Sequence, residues 1–260
     1  MSYVTLLKTR DARGIVTLTL NRPDVHNAMD AAMMDDLSAA AAALGADASV
    51  RAVILTGQGA SFCAGGDLGW MRAQMTASRP QRMAEARRLA DMLHALNTMP
   101  KPLIGAVNGA AFGGGVGIAS VCDVVLAAEG AKFGLTETRL GLIPATISPY
   151  VLARMGEGKA RRVFMSARRF DAAEALALDL VARVVPAAAL MDEAMAEAEA
   201  YLACAPGAVG AAKALARSLG APITPEVITE TIERLADTWE HPEAAEGIAA
   251  FFEKRKPRWA

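Results

Sequence analysis

The first half of the chain alternates short apolar runs with stretches of helical periodicity. Gly14–Leu20 alternates apolar residues with Thr, as a half-buried strand does, and Tyr3–Leu7 is its predicted partner strand. Continuous apolar runs, typical of buried strands, occupy residues 51–56, 103–107 and 123–128. Apolar residues at helical spacing lie between the strands and predict helices near residues 31–44, 80–97 and 116–122. This alternation predicts an α/β domain with a largely parallel sheet.

The chain after Pro144 carries a different pattern, in which no further strand is predicted. Apolar residues at helical spacing predict helices at residues 148–155, 157–165, 171–178, 189–203, 207–219, 224–238 and 242–254. A shift in composition near residue 200 separates a core at residues 1–200 from a C-terminal helical region at residues 201–260. We expect this second region to lack a core of its own.

Composition excludes several classes of function. The 260 residues carry a formal net charge of −1, which gives no electrostatic basis for binding nucleic acid. The start of the chain has no charged region followed by an apolar core, and no apolar run reaches the roughly 18 residues of a membrane helix. The Cys and His residues are scattered without a metal-binding spacing. We therefore expect a cytoplasmic protein with no metal and with three reduced, buried cysteines.

Two glycine-rich loops share a common form. Cys63–Asp67 and Phe112–Val116 each follow an apolar strand and consist of residues too small to cover the backbone. Two N–H groups that converge from such loops would form an oxyanion hole for a carbonyl that becomes an enolate. The alternative is that both loops are tight turns that need glycine. Neither loop fits a dinucleotide or phosphate-loop motif, so nothing in the sequence supports NAD or ATP chemistry.

Glu137 is the candidate acid or base. It lies in an apolar segment bounded by Gly134 and Pro144, where burial would raise the pKa of a carboxylate. The alternative is a Glu that starts a helix and only complements its dipole, with Thr136 or Thr138 nearby. The residues alone leave both interpretations open.

Five ordered motifs resemble the enoyl-CoA hydratase/isomerase (crotonase) family, and they span essentially the whole chain. They are Leu20–Pro23 with His26–Ala28, Ser61–Leu68, Asn108–Gly115, Cys122–Asp123, and Phe133–Glu137 with Gly141–Pro144. The resemblance implies a spiral of ββα units with C-terminal helices that form trimers, commonly paired into hexamers. It also implies that residues 201–260 serve oligomerisation and closure of the active site. The substrate would be an acyl-CoA thioester, with no other cofactor.

The same resemblance assigns roles to single residues. The backbone N–H groups of Ala64 and Gly114 would form the oxyanion hole, and Glu137 would be a catalytic carboxylate. The residues that would bind the substrate are Val25, His26 and Ala28 at the adenine end and Ala64, Gly65, Gly66, Asp67, Leu68 and Gly114 along the pantetheine channel. The basic segment 251–259 would contact CoA phosphates or, alternatively, form a solvated helix end.

One position departs from the pattern of two-carboxylate hydratases, which have Glu two residues after the glycine triplet. Gly117 stands there in this chain and cannot relay a proton. Two enzymatic interpretations follow: Glu137 alone activates water for hydration, or Glu137 shuttles a proton between the carbons of 3-enoyl and 2-enoyl thioesters. A catalytically inactive acyl-CoA-binding protein is a third interpretation, which the retention of Glu137 and of both loops disfavours.

Finer similarity favours hydration. Two runs, Phe112–Ile118 and Phe133–Tyr150, are together similar to bacterial methylglutaconyl-CoA hydratases of leucine breakdown and to the related carboxygeranoyl-CoA hydratases of acyclic terpene breakdown. Those substrates carry a distal carboxylate, which needs a cationic or hydrogen-bonding partner. The candidate partners are Arg139, Ser148 and Tyr150. We therefore predict an enoyl-CoA hydratase that acts on a branched, carboxylated substrate.

Overall fold

A six-stranded sheet forms the centre of the computed structural model, which describes residues 3–260. The strand order is β1-β2-β3-β5-β7-β10, and only the β1–β2 pair is antiparallel. The strands are Leu6–Arg10 (β1), Ile15–Leu20 (β2), Ala52–Gly57 (β3), Leu103–Val107 (β5), Val124–Ala128 (β7) and Arg183–Val185 (β10). The predicted α/β architecture with a largely parallel sheet is confirmed. The first strand begins three residues later than its predicted start.

A second sheet of short strands lies beside the first. Its order is β4-β6-β8-β9, with Ser61–Cys63 (β4), Ala110–Phe112 (β6), Lys132–Gly134 (β8) and Arg169–Asp171 (β9). The chain passes from a strand of the large sheet to one of the small sheet three times, as β3–β4, β5–β6 and β7–β8, and a helix follows each passage. This repetition is the predicted spiral of ββα units.

Eleven α-helices surround the sheets within residues 3–260. They are Ala31–Ala46 (α1), Leu68–Thr76 (α2), Arg79–Thr98 (α3), Gly114–Val121 (α4), Ser148–Met155 (α5), Glu157–Phe164 (α6), Ala172–Ala177 (α7), Leu190–Glu199 (α8), Pro206–Leu219 (α9), Pro225–Glu240 (α10) and Pro242–Phe252 (α11). The main core lies between one face of the large sheet and helices α1, α3 and α4, and α8 covers the opposite face. The helices predicted after Pro144 are therefore present.

The prediction that no strand follows Pro144 is wrong, because β9 and β10 lie there. Each has three residues and carries an arginine, so neither gives the apolar alternation by which a strand is recognised. Helix α2 also escaped prediction, since most of its residues are exposed and its sequence has little apolar periodicity. Its start is nevertheless well defined, because Asp67 Oδ1 accepts hydrogen bonds from the N–H groups of Gly69 and Trp70.

The C-terminal helices pack against the core of the same chain. Ile228 and Ile232 of α10 are buried against Ala86 and Ala90 of α3. Arg79 at the start of α3 pairs with Asp237 at 2.8 Å and with Glu240 at 2.7 Å. These contacts place α10 and α11 over one side of the spiral, whereas α9 contains no buried residue.

The cysteine prediction needs one correction. Cys63 and Cys122 are buried free thiols, but Cys204 is exposed because it follows a 3-10 helix at the surface. Burial raises the pKa of both Cys63 and Cys122 to about 12. Within residues 3–260, no three His, Cys, Asp or Glu side chains are grouped to hold a metal ion. None of the helices in that range has the length and apolarity needed to cross a membrane.

Candidate active site

The loop after β4 is hydrogen-bonded to residues 26–29, an earlier segment of the chain. The N–H of Ala64 donates to the carbonyl of His26 at 3.0 Å, and the N–H of Asp67 donates to the carbonyl of Met29 at 2.8 Å. Met29 in turn donates to the carbonyl of Gly65 at 2.7 Å. The prediction that Ala64 supplies an oxyanion-hole donor is therefore wrong, because its N–H already has an acceptor.

Gly66 is the residue of this loop with a free donor. It forms an isolated parallel bridge with Met29, in which the carbonyl of Gly65 and the N–H of Asp67 are hydrogen-bonded to Met29. The N–H of Gly66 therefore points away from Met29, and within residues 3–260 no backbone acceptor receives it. Gly66 also lines the main cavity.

In the loop after β6, the free N–H group belongs to Gly114, at the start of α4. The N–H of Gly113 donates to the carbonyl of Gly134 at 2.9 Å. Gly114 is the first residue of α4, so its N–H has no partner within the helix. The two loops pack directly together, since a Cβ at Gly115 would lie 2.3 Å from the carbonyl oxygen of Cys63. Glycine is required at this contact because two backbones approach each other.

Glu137 lies next to this second loop. It begins a short 3-10 helix, Glu137–Leu140, and its Oε1 lies 2.9 Å from where a Cβ of Gly113 would be. Its Oε2 is buried and has no hydrogen-bond partner among residues 3–260. Burial raises the pKa of Glu137 to about 7, although backbone hydrogen bonds act in the opposite direction. A carboxylate with this pKa can both take and return a proton near neutral pH.

A cavity of about 370 Å³ joins the two loops to Glu137. Its wall is mainly apolar and includes three side chains of the C-terminal helices, Leu235, Trp239 and Phe251. Glu137 is the only acidic side chain among the lining residues that the structure describes, and Arg139 and Arg169 are the only basic ones. Two free N–H groups and one ionisable carboxylate facing an apolar cavity can stabilise an enolate and move a proton beside it.

The comparison with known families agrees with this chemistry. The family profile for enoyl-CoA hydratase/isomerase matches residues 10–260. The chain belongs to this family. A Rhizobium meliloti relative named "Probable enoyl-CoA hydratase" is 38% identical over 263 residues, covering 98% of each chain.

Solved structures show the same fold. An enoyl-CoA hydratase from Shewanella pealeana is 38% identical, with a TM-score of 0.80 over 98% of this chain and 96% of the other. AtuE of Pseudomonas aeruginosa is 40% identical, with a TM-score of 0.79 over 98% of this chain and 99% of the other. The crotonase fold and the enzymatic character of the chain are thereby established.

Several family-derived substrate contacts lie outside the cavity. Val25 is 42% exposed, and the Nδ1 of His26 is 3.0 Å from the hydroxyl of Ser61. Ala28 is buried, and Asp67 is held by Arg22 at 3.1 Å. Their roles in binding CoA stay predictions. Of the loop residues, the cavity is lined by Ala64, Gly65, Gly66, Leu68 and Gly114.

The basic C-terminal segment also lies partly inside and partly outside the cavity. Phe251 lines the cavity, whereas Arg255 pairs with Glu246 at 2.6 Å and with Glu253 at 2.5 Å. Hydrogen bonding to Arg255 lowers the pKa of Glu246 to about 2. The contact of this segment with CoA phosphates stays a prediction.

Of the three predicted partners of a distal carboxylate, only Arg139 lines the cavity among the residues that the structure describes. Arg139 lines the cavity, but Ser148 donates its hydroxyl proton to the carbonyl of Ala145 at 2.6 Å, and Tyr150 is buried away from the cavity. Arg169, which was not among the predicted partners, lines the cavity, and its guanidinium lies 5.0 Å from the centre of the Phe112 ring. No signal around Arg169 could have found it, because it belongs to the short strand β9.

Proposed function

We propose that the chain is a hydratase that adds water to a 2-enoyl-CoA thioester with a branched acyl chain and a distal carboxylate, such as 3-methylglutaconyl-CoA. The observation that carries the proposal is that Glu137 lines one cavity together with Gly66 and Gly114, whose N–H groups are free, and with two arginines. Glu137, Gly66 and Gly114 support the proposed reaction class. Arg139 and Arg169 support the proposed substrate class.

In the proposed reaction, Glu137 acts first as a base and then as an acid. Its carboxylate takes one proton from water while the water oxygen forms a bond to the β-carbon. The electron pair of the Cα–Cβ double bond then moves toward the thioester oxygen, where the N–H groups of Gly66 and Gly114 bind the enolate. Protonated Glu137 returns its proton to the α-carbon, so the net change is the addition of one water molecule.

The electrostatics of the cavity support an acidic substrate. Arg139 and Arg169 have no carboxylate within 4.0 Å among residues 3–260 and are exposed, which places them where the cavity meets solvent. A guanidinium binds a carboxylate through paired hydrogen bonds, and this match favours a carboxylated acyl group over a neutral one. The similarity of Phe133–Tyr150 to hydratases of carboxylated substrates supports the same conclusion.

A second candidate function is isomerisation of 3-enoyl-CoA to 2-enoyl-CoA. It is favoured by one observation, namely that Glu137 is the only acidic side chain described in the cavity wall. A single carboxylate suffices to move a proton between two carbons of a bound enolate. Hydration needs the same carboxylate and also space for a water molecule, so a direct assay separates the two functions.

The deciding experiment presents 3-methylglutaconyl-CoA, crotonyl-CoA and a 3-enoyl-CoA in separate assays, with products identified by mass spectrometry. We expect loss of conjugated-enoyl absorbance and a mass gain of one water with the acid substrate. Formation of that absorbance from the 3-enoyl substrate, without hydration of the other two, would instead support the isomerase. Binding of all three without turnover would support an inactive acyl-CoA-binding protein.

Assembly into a trimer or a pair of trimers is also proposed. Helix α9 supports it, because it buries no residue within the single chain and leaves Leu215 60% and Leu219 80% exposed. Light scattering after size-exclusion chromatography tests this, and a monomer at micromolar concentration would contradict it.

A further inference from the structure

Gly117 lies in the interior of α4, where glycine is about 1 kcal/mol less favourable than alanine. The reason for a glycine there is close packing. A Cβ at residue 117 would lie 2.5 Å from Cγ2 and 3.0 Å from Cβ of Ile147, and 3.6 Å from Cδ2 of Leu93. Ile147 therefore occupies the space into which any side chain at residue 117 would extend.

That space adjoins the cavity, because Ile147, which fills it, lines the cavity wall. Residue 117 is three positions after Gly114 on the same helix, so both lie on one helix face. Gly114 carries the free N–H, and Ile147 itself lines the cavity. A carboxylate at residue 117 would project toward the region that Gly114 serves, and Ile147 now makes that wall apolar.

Ile147 cannot move aside easily. Its carbonyl accepts hydrogen bonds from the N–H groups of Tyr150 at 3.2 Å and Val151 at 3.1 Å, which form the first turn of α5. Its side chain is 3% exposed. Because the position of a Cβ is set by the backbone, rotation about χ1 would remove the contact with Cγ2 but not the 3.0 Å contact with Cβ.

We propose that Ile147 sets the number of carboxylates in the site: by filling the space beside Gly117, it excludes a second carboxylate from the cavity wall and leaves Glu137 as the only acidic side chain of the wall within residues 3–260. The proposal rests on the function proposed above, in that the site hydrates enoyl thioesters. It implies that a second carboxylate is accepted at residue 117 only when Ile147 is shortened beyond its branch.

The test compares crotonyl-CoA hydration by the full-length wild type with that by four variants: Gly117→Glu, Ile147→Gly, Gly117→Glu/Ile147→Gly and Gly117→Glu/Ile147→Val. Valine is the matched control because it keeps both carbons of the branch. We expect the double variant with glycine to exceed wild type and the other three variants by at least about tenfold in kcat, the scale of one general acid–base group. Its pH–rate profile should also gain a second carboxylate ionisation, which a packing change alone would not produce.

The proposal would be overturned if the two double variants had the same kcat for hydration. It would also be overturned if Ile147→Gly alone had the same kcat as Gly117→Glu/Ile147→Gly. If the variants that carry Gly117→Glu do not fold, the free energy of unfolding of other variants provides a second measurement. In a double-mutant cycle, the loss of unfolding free energy caused by Gly117→Ala should be smaller in the Ile147→Gly background; an equal loss in both backgrounds would also overturn it. Failure of the wild type on the acid substrate would contradict the proposed function but leave these comparisons intact.

Discussion

The cavity has two parts that are built in different ways. The reactive part consists of the N–H groups of Gly66 and Gly114 and the carboxylate of Glu137, all at loop or helix starts beside the small sheet. The solvent-facing part consists of Arg139 and Arg169 with side chains of the C-terminal helices, such as Trp239. The first part uses mostly backbone groups, whereas the second uses only side chains.

This difference separates chemistry from selection. Under the proposed function, backbone donors held in place by the packing of their loops would act equally on every thioester that reaches them. Under the same proposal, side chains from separate segments would decide which acyl group fits, and they could change without disturbing the donors. Changes in the reactive part should therefore lower kcat for all substrates, and changes in the solvent-facing part should alter KM for particular ones.

The largest effect is expected from Glu137→Gln. Because glutamine cannot take or return a proton, kcat for hydration should fall about 10²- to 10⁴-fold for acid and neutral substrates alike, with little change in KM. Stopped-flow absorbance of the conjugated enoyl group measures this. In wild type, kcat should rise with pH through about 7, since the carboxylate must be deprotonated to accept a proton from water.

The matched control is Glu129→Gln, which removes an exposed carboxylate outside the cavity and should leave kcat unchanged. Turnover of wild-type size in Glu137→Gln would show that another group moves the proton, and the reactive part would then have to be redrawn.

The next largest effect is expected from removing the N–H of Gly66, the donor that replaces Ala64 in the proposed oxyanion hole. Gly66→Pro removes the N–H and should lower kcat about 10²- to 10³-fold, the usual loss for one donor. Gly66→Ala keeps the N–H, and its Cβ would lie 3.6 Å from Met71 Cγ and from Trp70 Cε3, an ordinary contact, so it should be nearly neutral. Circular dichroism checks that both variants fold. Equal kcat in the two folded variants would reject Gly66 as the donor.

The reactive part could be predicted largely from the sequence. The glycine triplet Gly113–Gly115 and its spacing to Glu137 are sequence patterns, and the resemblance to the family turns them into a predicted site. The contact that requires glycine at residue 115 is not local, because Cys63 lies 52 positions earlier in the chain. The error at Ala64 has a physical reason too: which N–H of the loop is free depends on Met29 and His26, which lie far away in sequence. No local pattern encodes that pairing.

The solvent-facing part could not be predicted in the same way. Arg169 is in a three-residue strand, and Trp239 reaches the cavity only because α10 packs on α3. The role of Ile147 was equally hidden, since its contact with Gly117 joins positions 30 residues apart. Fold class and helix positions follow from periodicity, but contacts between distant elements do not.

Stability should respond to pH in opposite ways at Glu137, in the reactive part, and at Glu246, which lies outside the cavity. Glu137 has a pKa of about 7 against an ordinary value of 4.5, so the folded state binds its proton more tightly and loses stability as pH rises from about 4.5 to 7. Glu137→Gln should therefore be more stable than wild type at pH 8, by roughly 3 kcal/mol, and no more stable below pH 4.5. Urea unfolding at several pH values measures the difference.

Glu246 provides the contrast, because its pKa of about 2 lies below the ordinary 4.5. Its stabilising contribution is present above pH 4.5 and is lost as pH falls toward about 2. Glu246→Gln should thus destabilise the protein at pH 7. The same sign for both variants at pH 8 would contradict the burial of Glu137.

A smaller effect is expected from the arginines. Arg139→Met or Arg169→Met should raise KM for 3-methylglutaconyl-CoA about tenfold, because one charge-assisted pair is worth roughly 1.4 kcal/mol, and should leave kcat and the KM for crotonyl-CoA unchanged. Arg161→Met is the control, since Arg161 is exposed on α6 and does not line the cavity. An equal rise in KM for both substrates would assign the arginines to the CoA moiety that the two share.

The smallest effect is expected from Arg79→Ala. Arg79 joins α3 to Asp237 and Glu240 of α10, which carries Trp239 into the cavity, but the pairs are largely solvent-exposed. Such pairs contribute at most about 1 kcal/mol, and salt weakens them. The variant should therefore lose little unfolding free energy, and the loss should shrink further in high salt. Its KM for acyl-CoA should rise slightly while kcat stays constant, because the donors and Glu137 are held by other contacts. A loss of kcat as large as that of Glu137→Gln would show that the C-terminal helices hold the reactive part in place, and the two parts of the cavity would then act as one.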